Sequence, residues 1–285
     1  MSVRSAGYAS RSAGYTRVQD GTKVRGEERI VKRVFFLATA VAALLTGGAS
    51  MALAQTEVSL LVPNPFRRTL DKVAGGFEPK TGYKLNITVG RGMGTRQQIA
   101  RGEMFDVSIL LPPYPEALAS GNIDPKSATV LAKLVLAVGV KKGAAKPDVF
   151  SAEALKRTLL AARTIAIVDP NIGSDGAATR DALQKLGVLD QISAKTKIVG
   201  NAGAVAELVG KDEAEICIFY RNEMGVNANV DVVGTLPVEF APPTDIVAFI
   251  STQARDAVAA KALVDYLASL ESEAVYEKDG LVPVP

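Results

Sequence analysis

The stretch TIAIVDPNIGSDGAATRDALQKLG, residues 164–187, decides the fold class. Thr164–Val168 is a short Ile/Val-rich run, the pattern of a strand buried on both faces. Asp169-Pro170-Asn171-Ile172-Gly173-Ser174-Asp175-Gly176 then turns the chain. A helix is predicted over Asp175–Leu186, with Ser174 or Asp175 as its natural N-cap. Strand, turn and helix together make one βα unit.

The same unit recurs in both directions along the chain. Upstream, strands are predicted at Val58–Val62, Leu85–Val89 and Val107–Leu111, with helices over Phe66–Phe77, Thr95–Arg101 and Tyr114–Ser120. Val130–Val140 is a longer β-type stretch, followed by a helix over Ala152–Ala161. Downstream come strand Thr196–Val199, helix Ala202–Val209, and strands Ile216–Tyr220, Val230–Leu236 and Ile246–Ser251. Helices over Asp256–Ser269 and Ser272–Lys278 close the chain. Such alternation predicts a doubly wound α/β architecture. The chain is expected to form one lobe from residues 55–136 and 242–285 and a second from 137–241, crossing near Leu136 and Pro242. Pockets in such folds lie at the carboxyl ends of strands, between domains. That rule selects four loops: Pro63–Phe66, Gly90–Arg96, Asp169–Ala177 and Tyr220–Glu223.

Composition narrows the chemistry. Of 285 residues none is His and one is Cys, which removes His metal ligands, Ser-His-Asp and Cys-His machinery, an internal disulfide and a Cys-built zinc site. The formal charge of +3 belongs to the N-terminus. Lys32-Arg33 precede the apolar run Val34–Leu45, and Ala52-Leu53-Ala54 supplies a small-x-small site. This is the pattern of a secretory signal cleaved after Ala54, and the run is too short for a membrane anchor. Val31 would begin a leader of ordinary length, so residues 1–30 are expected to precede the natural start. Residues 1–54 carry eight basic and three acidic side chains, so the rest of the chain holds 25 and 27, a net charge near −2. That charge offers nothing to nucleic acid.

Candidate site residues follow from the four loops. Gly90-Arg91-Gly92-Met93-Gly94-Thr95 joins a strand to a helix, so its backbone N–H groups can face an anion. Arg91 adds a fork of donors. The same residues also read as a tight βα turn with a surface Arg. Ser174 and Asp175 stand at a helix N-terminus, where N–H groups lack intrahelical acceptors; an ordinary helix start has the same look. Tyr220 ends a strand at the expected pocket and carries a hydroxyl donor, or packs on the core. Cys217 sits in the apolar run Ile216–Phe219 and reads as a buried thiol. Nothing in the sequence marks a general acid/base pair, a metal site or a cofactor motif.

From Val58 to Pro285 the chain resembles the periplasmic substrate-binding proteins of ABC importers, specifically the molybdate-binding group. The resemblance rests on Phe66…Phe77 with Gly82, on Gln98-Ile99…Gly102…Asp106, and on Asp169-Pro170…Gly176 with Ala182-Leu183-Gln184-Lys185-Leu186-Gly187. Glu213-Ala214…Ile218-Phe219-Tyr220 and Tyr266-Leu267…Ala274…Tyr276…Gly280 extend it. It implies a two-lobed type II periplasmic binding fold, each lobe a mainly parallel sheet flanked by helices. It also implies a monomeric periplasmic receptor, not an enzyme, that takes molybdate or tungstate to an inner-membrane permease and its ATPase. By position, Asp175 and Ala202 match backbone donors and Tyr220 the hydroxyl donor. The expected ligand set is Asn64, Arg91, Gly92, Thr95, Ser174, Asp175, Ala202 and Tyr220. Two serine positions of the family fall on Pro65 and in Arg91–Met93. Pro65 has no N–H to give, and Asn64 offers its amide instead. An Arg in the cleft also suits a sulfate-like anion or a small carboxylate. A sensor role and a secreted enzyme are the alternatives outside transport.

Overall fold

The computed structural model of the chain describes residues 56–90 and 94–284. The predicted leader, its cleavage point after Ala54, and Arg91, Gly92 and Met93 lie outside the described residues.

Glu57–Val62 (β1) is Val/Leu-rich and largely buried. Pro63 stops it, and Asn64–Ala74 (α1) begins with Pro65 in its first turn, where no intrahelical N–H bond is lost. Phe66, Leu70 and Val73 fall on the buried face of α1. The predicted single helix to Phe77 is broken at Gly75-Gly76, and Phe77–Thr81 (α2) follows as a separate turn. The break has a packing reason: the Tyr266 ring and hydroxyl occupy the space that a Cβ at position 76 would need. Lys84–Val89 (β2) pairs parallel with β1, Val58 opposite Leu85. Gly94–Ala100 (α3), Val107–Leu110 (β3), Pro115–Ala119 (α4) and Thr129–Leu134 (β4) complete this passage.

Val130–Val140 is not one strand. It breaks at Val135, and Leu136–Lys141 (β5) enters a different sheet. The second passage runs Ala152–Ala161 (α5), Ile165–Val168 (β6), Ser174–Lys185 (α6), Leu189–Ile192 (α7) and Thr196–Val199 (β7). It continues through Ala202–Gly210 (α8), Ile216–Tyr220 (β8), Arg221–Met224 (α9) and Val230–Thr235 (β9). Residues 236–243, with Pro237, Pro242 and Pro243, lead back to Thr244–Ile250 (β10). Ala257–Leu267 (α10) and Leu270–Lys278 (α11) finish the chain.

The two sheets share one wiring. The first has the order β2-β1-β3-β10-β4 and the second β7-β6-β8-β5-β9. In each, a parallel βαβαβ half is joined to an antiparallel half: β10 opposes β3 and β4, and β5 opposes β8 and β9. The sheets are therefore mixed, because the strand arriving from the other lobe enters against the parallel half. This is a two-lobed α/β fold. The shared wiring makes the β1–α1 and β6–α6 turns equivalent, each ending a central parallel strand.

One buried carboxylate ties the first lobe together. Asp106, whose side chain is 3% exposed, lies just before β3. Its Oδ2 accepts from the Ser59 amide and hydroxyl, both at 2.7 Å, and from Arg255 Nη2 at 2.6 Å. Its Oδ1 accepts from the Arg255 amide at 2.8 Å. Burial alone would raise the Asp106 carboxyl, but hydrogen bonds from Arg255 and Ser59 outweigh it and bring the pKa down to about 2.

Cys217 is buried in β8, and burial pushes its thiol up to about 12. A thiol so rarely ionised and so enclosed is expected to stay unmodified by a thiol reagent in native buffer and to react fully in denaturant. Rapid modification of the native protein would show that β8 opens.

Candidate anion-binding cleft

The described residues of the four loops selected from the sequence come together between the lobes. Pro63 and Asn64 leave β1, and Gly90 follows β2, its amide donating to Val62 O at 2.8 Å. From the other lobe, the β6–α6 turn is tied by Asp169, whose Oδ1 accepts from the Asn171 amide at 2.8 Å. Its carbonyl accepts from the Gly173 amide at 3.0 Å. After β7, Asn201 caps α8 by accepting from the Ala204 amide at 2.9 Å. After β8, Asn222 reaches across the lobes and donates through Nδ2 to Pro65 O at 2.7 Å.

Three adjoining cavities result. One of about 270 Å³ is lined by Asn64, Gly90, Ser174, Asp175, Ala202 and Glu223, among others. A second of about 380 Å³ shares Asn64, Ala202 and Glu223 and adds Arg68. A third of about 230 Å³ shares Ser174 and includes Thr95, Tyr220, Arg96, Lys185 and Phe240. Asn64, Ser174, Asp175 and Ala202 thus meet in one cavity, while Thr95 and Tyr220 line its neighbour. Arg91 and Gly92 lie outside the described residues.

Two helices start at this cavity, α6 at Ser174 and α8 at Ala202. Their first-turn N–H groups have no intrahelical acceptors, and their dipoles put positive potential there. The expected N-cap of α6 needs correction. Neither Ser174 nor Asp175 caps; Gly173 holds that position in extended backbone, with no side-chain cap bond. Asp175 is the second residue of the helix, and the amides of Gly176 and of Asp175 itself bond its carboxyl. Burial outweighs those bonds and raises that carboxyl to about 6.

Glu223 is the site residue that sequence reasoning missed. It lines two of the cavities, and its Oε2 is shielded from water with no hydrogen-bond partner among the described residues. Burial and the neighbouring Asp175 charge raise its carboxyl to about 8, against a lowering by Arg68. The sequence marks no acid/base pair, yet the fold sets these two carboxyls beside each other. Tyr220 is 1% exposed, and burial raises its hydroxyl despite hydrogen bonding with Thr244 and Ser174. Among the described residues no cluster of acidic and Cys side chains could hold a metal ion, and no helix is long and apolar enough to cross a membrane.

The sequence profile of the bacterial extracellular solute-binding proteins matches residues 58–282. The chain belongs to that family. Among relatives of this solute-binding protein, an aconitate isomerase of a Pseudomonas species is 29% identical over 254 residues, spanning 86% of this chain and 96% of that protein. The molybdate-binding protein ModA of Azotobacter vinelandii is 28% identical over 241 residues, 82% of this chain and 92% of that one. A solved periplasmic molybdate-binding protein from Azotobacter vinelandii superposes with a TM-score of 0.65 at 23% identity, covering 80% of this chain and 99% of that one. The two-lobed architecture is that of the periplasmic binding proteins.

Proposed function

We propose that this solute-binding protein is an exported, monomeric receptor that closes its lobes over a small organic polycarboxylate and presents it to an ABC permease and its ATPase. The observation that carries the reading is that the helix-start cavity adjoins, at Ser174, a second cavity walled by Leu111, Pro113 and Phe240 beside Lys185. A polycarboxylate fills both, one carboxylate at the starts of α6 and α8 and the carbon skeleton against the apolar wall. Molybdate, the ligand implied by resemblance, has no group for the second cavity. Pro65 also withholds an N–H that a bare oxyanion would use.

A thermal-shift panel of trans-aconitate, citrate, molybdate and sulfate tests the ligand. A polycarboxylate at 100 times its dissociation constant should add about 2.7 kcal/mol, a rise of roughly 5–10 °C for a chain of this size. A shift with molybdate alone would restore the metal-oxyanion ligand. The Asp175–Glu223 pair favours a second reading, turnover of the bound acid, since two carboxyls with pKa values near 6 and 8 suit base and acid at neutral pH. The Pseudomonas relative, named as an aconitate isomerase, points the same way. Proton NMR of trans-aconitate incubated with the protein separates the two: formation of the cis isomer establishes an enzyme, and an unchanged spectrum with a thermal shift establishes a receptor.

A further inference from the structure

We infer that Glu223 is a ligand-contacting residue that binds the anion in its carboxylic-acid form, donating its proton as a hydrogen bond to an acceptor oxygen of the ligand. The inference rests on the proposed binding of an anion in the cleft. Its geometric basis is independent of the ligand's name. Glu223 reaches the cavity from α9, and Asn64 of α1 and the starts of α6 and α8 line the same cavity. Its Oε2 is buried and has no partner among the described residues, none of which satisfies its acid proton or its charge in the unbound protein. An anion entering this cavity supplies the missing acceptor. A carboxylate at position 223 would instead place like charges side by side in a poorly hydrated space.

The charged and titratable groups facing Glu223 agree. Burial and then Asp175 of α6 disfavour its ionisation, Arg68 of α1 favours it, and the balance keeps the proton on Glu223 at neutral pH. Arg67 and Asp71 line the same cavity but pair with each other at 2.7 Å. Tyr220 stays neutral in this range, its hydroxyl raised by burial. Asp175, raised only to about 6, is ionised at pH 7, so the pair carries one proton. A bound anion raises both groups further, and binding draws protons from solution.

Isothermal titration of trans-aconitate, or of whichever panel member binds, tests this between pH 7.5 and 9.5 in two buffers of different ionisation enthalpy. A one-proton link predicts that the dissociation constant rises tenfold per pH unit above about pH 8, with proton uptake on binding there. Glu223→Gln keeps a neutral donor of the same shape, so the variant should bind within about threefold of wild type at pH 7.5 and lose the pH slope. Wild-type binding that is flat across this range overturns the inference. So does a Glu223→Gln slope equal to wild type, since the linked group is then another. No binding of any panel anion at pH 6 sinks the anion reading itself, a separate result.

Discussion

Asp106→Ala is expected to lower the unfolding free energy by about 3 kcal/mol, the scale of one or two charge-assisted hydrogen bonds lost to a buried acceptor. Position 106 joins three segments remote in sequence: β1 through Ser59, the entry to β3, and the loop before α10 through Arg255. Removing the carboxyl strands the Ser59 amide and hydroxyl, and it frees the Arg255 loop that joins β10 to α10. For a chain of this size the loss corresponds to roughly 6–12 °C in Tm. Asp106→Asn should cost nearly as much, because its NH₂ would face donors. The pH dependence identifies the cause. The carboxyl is held down at about 2 in the folded chain, so its contribution is complete above about pH 4 and fades as pH falls through 2. Urea midpoints of wild type and Asp106→Asn should differ widely at pH 7 and converge near pH 2. A gap that persists at pH 2 would assign the effect to packing.

The lobes and their sheets were legible because each buried strand is a short aliphatic run bounded by a turn signal. Ile165–Val168 and Ile216–Tyr220 show this most plainly. The break at Val135 was not: Val130–Val140 is uniformly β-forming, and only the partners, β10 on one side and β8 with β9 on the other, divide it. The split of α1 from α2 likewise depends on Tyr266, far away in the chain. At the site, the rule that pockets gather at the carboxyl ends of strands picked the loops that meet. It could not pick Glu223. A glutamate just after a strand reads as solvent charge until Asp175 and the cleft wall are placed around it. The Asn222–Pro65 bond has the same character, spanning 157 residues. Asp106 stood in the sequence only as part of a family resemblance; the structure supplies its reason.

Gly176→Ala should remove ligand binding while leaving the rest of the chain folded. In a helix this substitution normally stabilises, by about 1 kcal/mol. Here a Cβ would press on the backbone of β6, against Val168 O and within 2.7 Å of Asp169 C and O. Backbone at the end of a central strand cannot yield as a flexible side chain does, so the first turn of α6 must move instead. That turn holds Ser174 and Asp175, which carry the start of α6 into the cavity, and Ser174 also lines the second cavity. The net stability change is expected to be a loss of about 1–3 kcal/mol, the range for overpacking. The binding change should be larger, more than 100-fold, since a shift of this turn misaligns every donor it carries. Gly75→Ala is the control: its backbone is helical and, among the described residues, no side chain or backbone from elsewhere in the fold lies within 4 Å of the added methyl. It should bind ligand as wild type does and melt no lower. If Gly176→Ala binds within threefold of wild type while losing stability, the start of α6 is structural only, and the anion's donors lie on α8 and the first lobe.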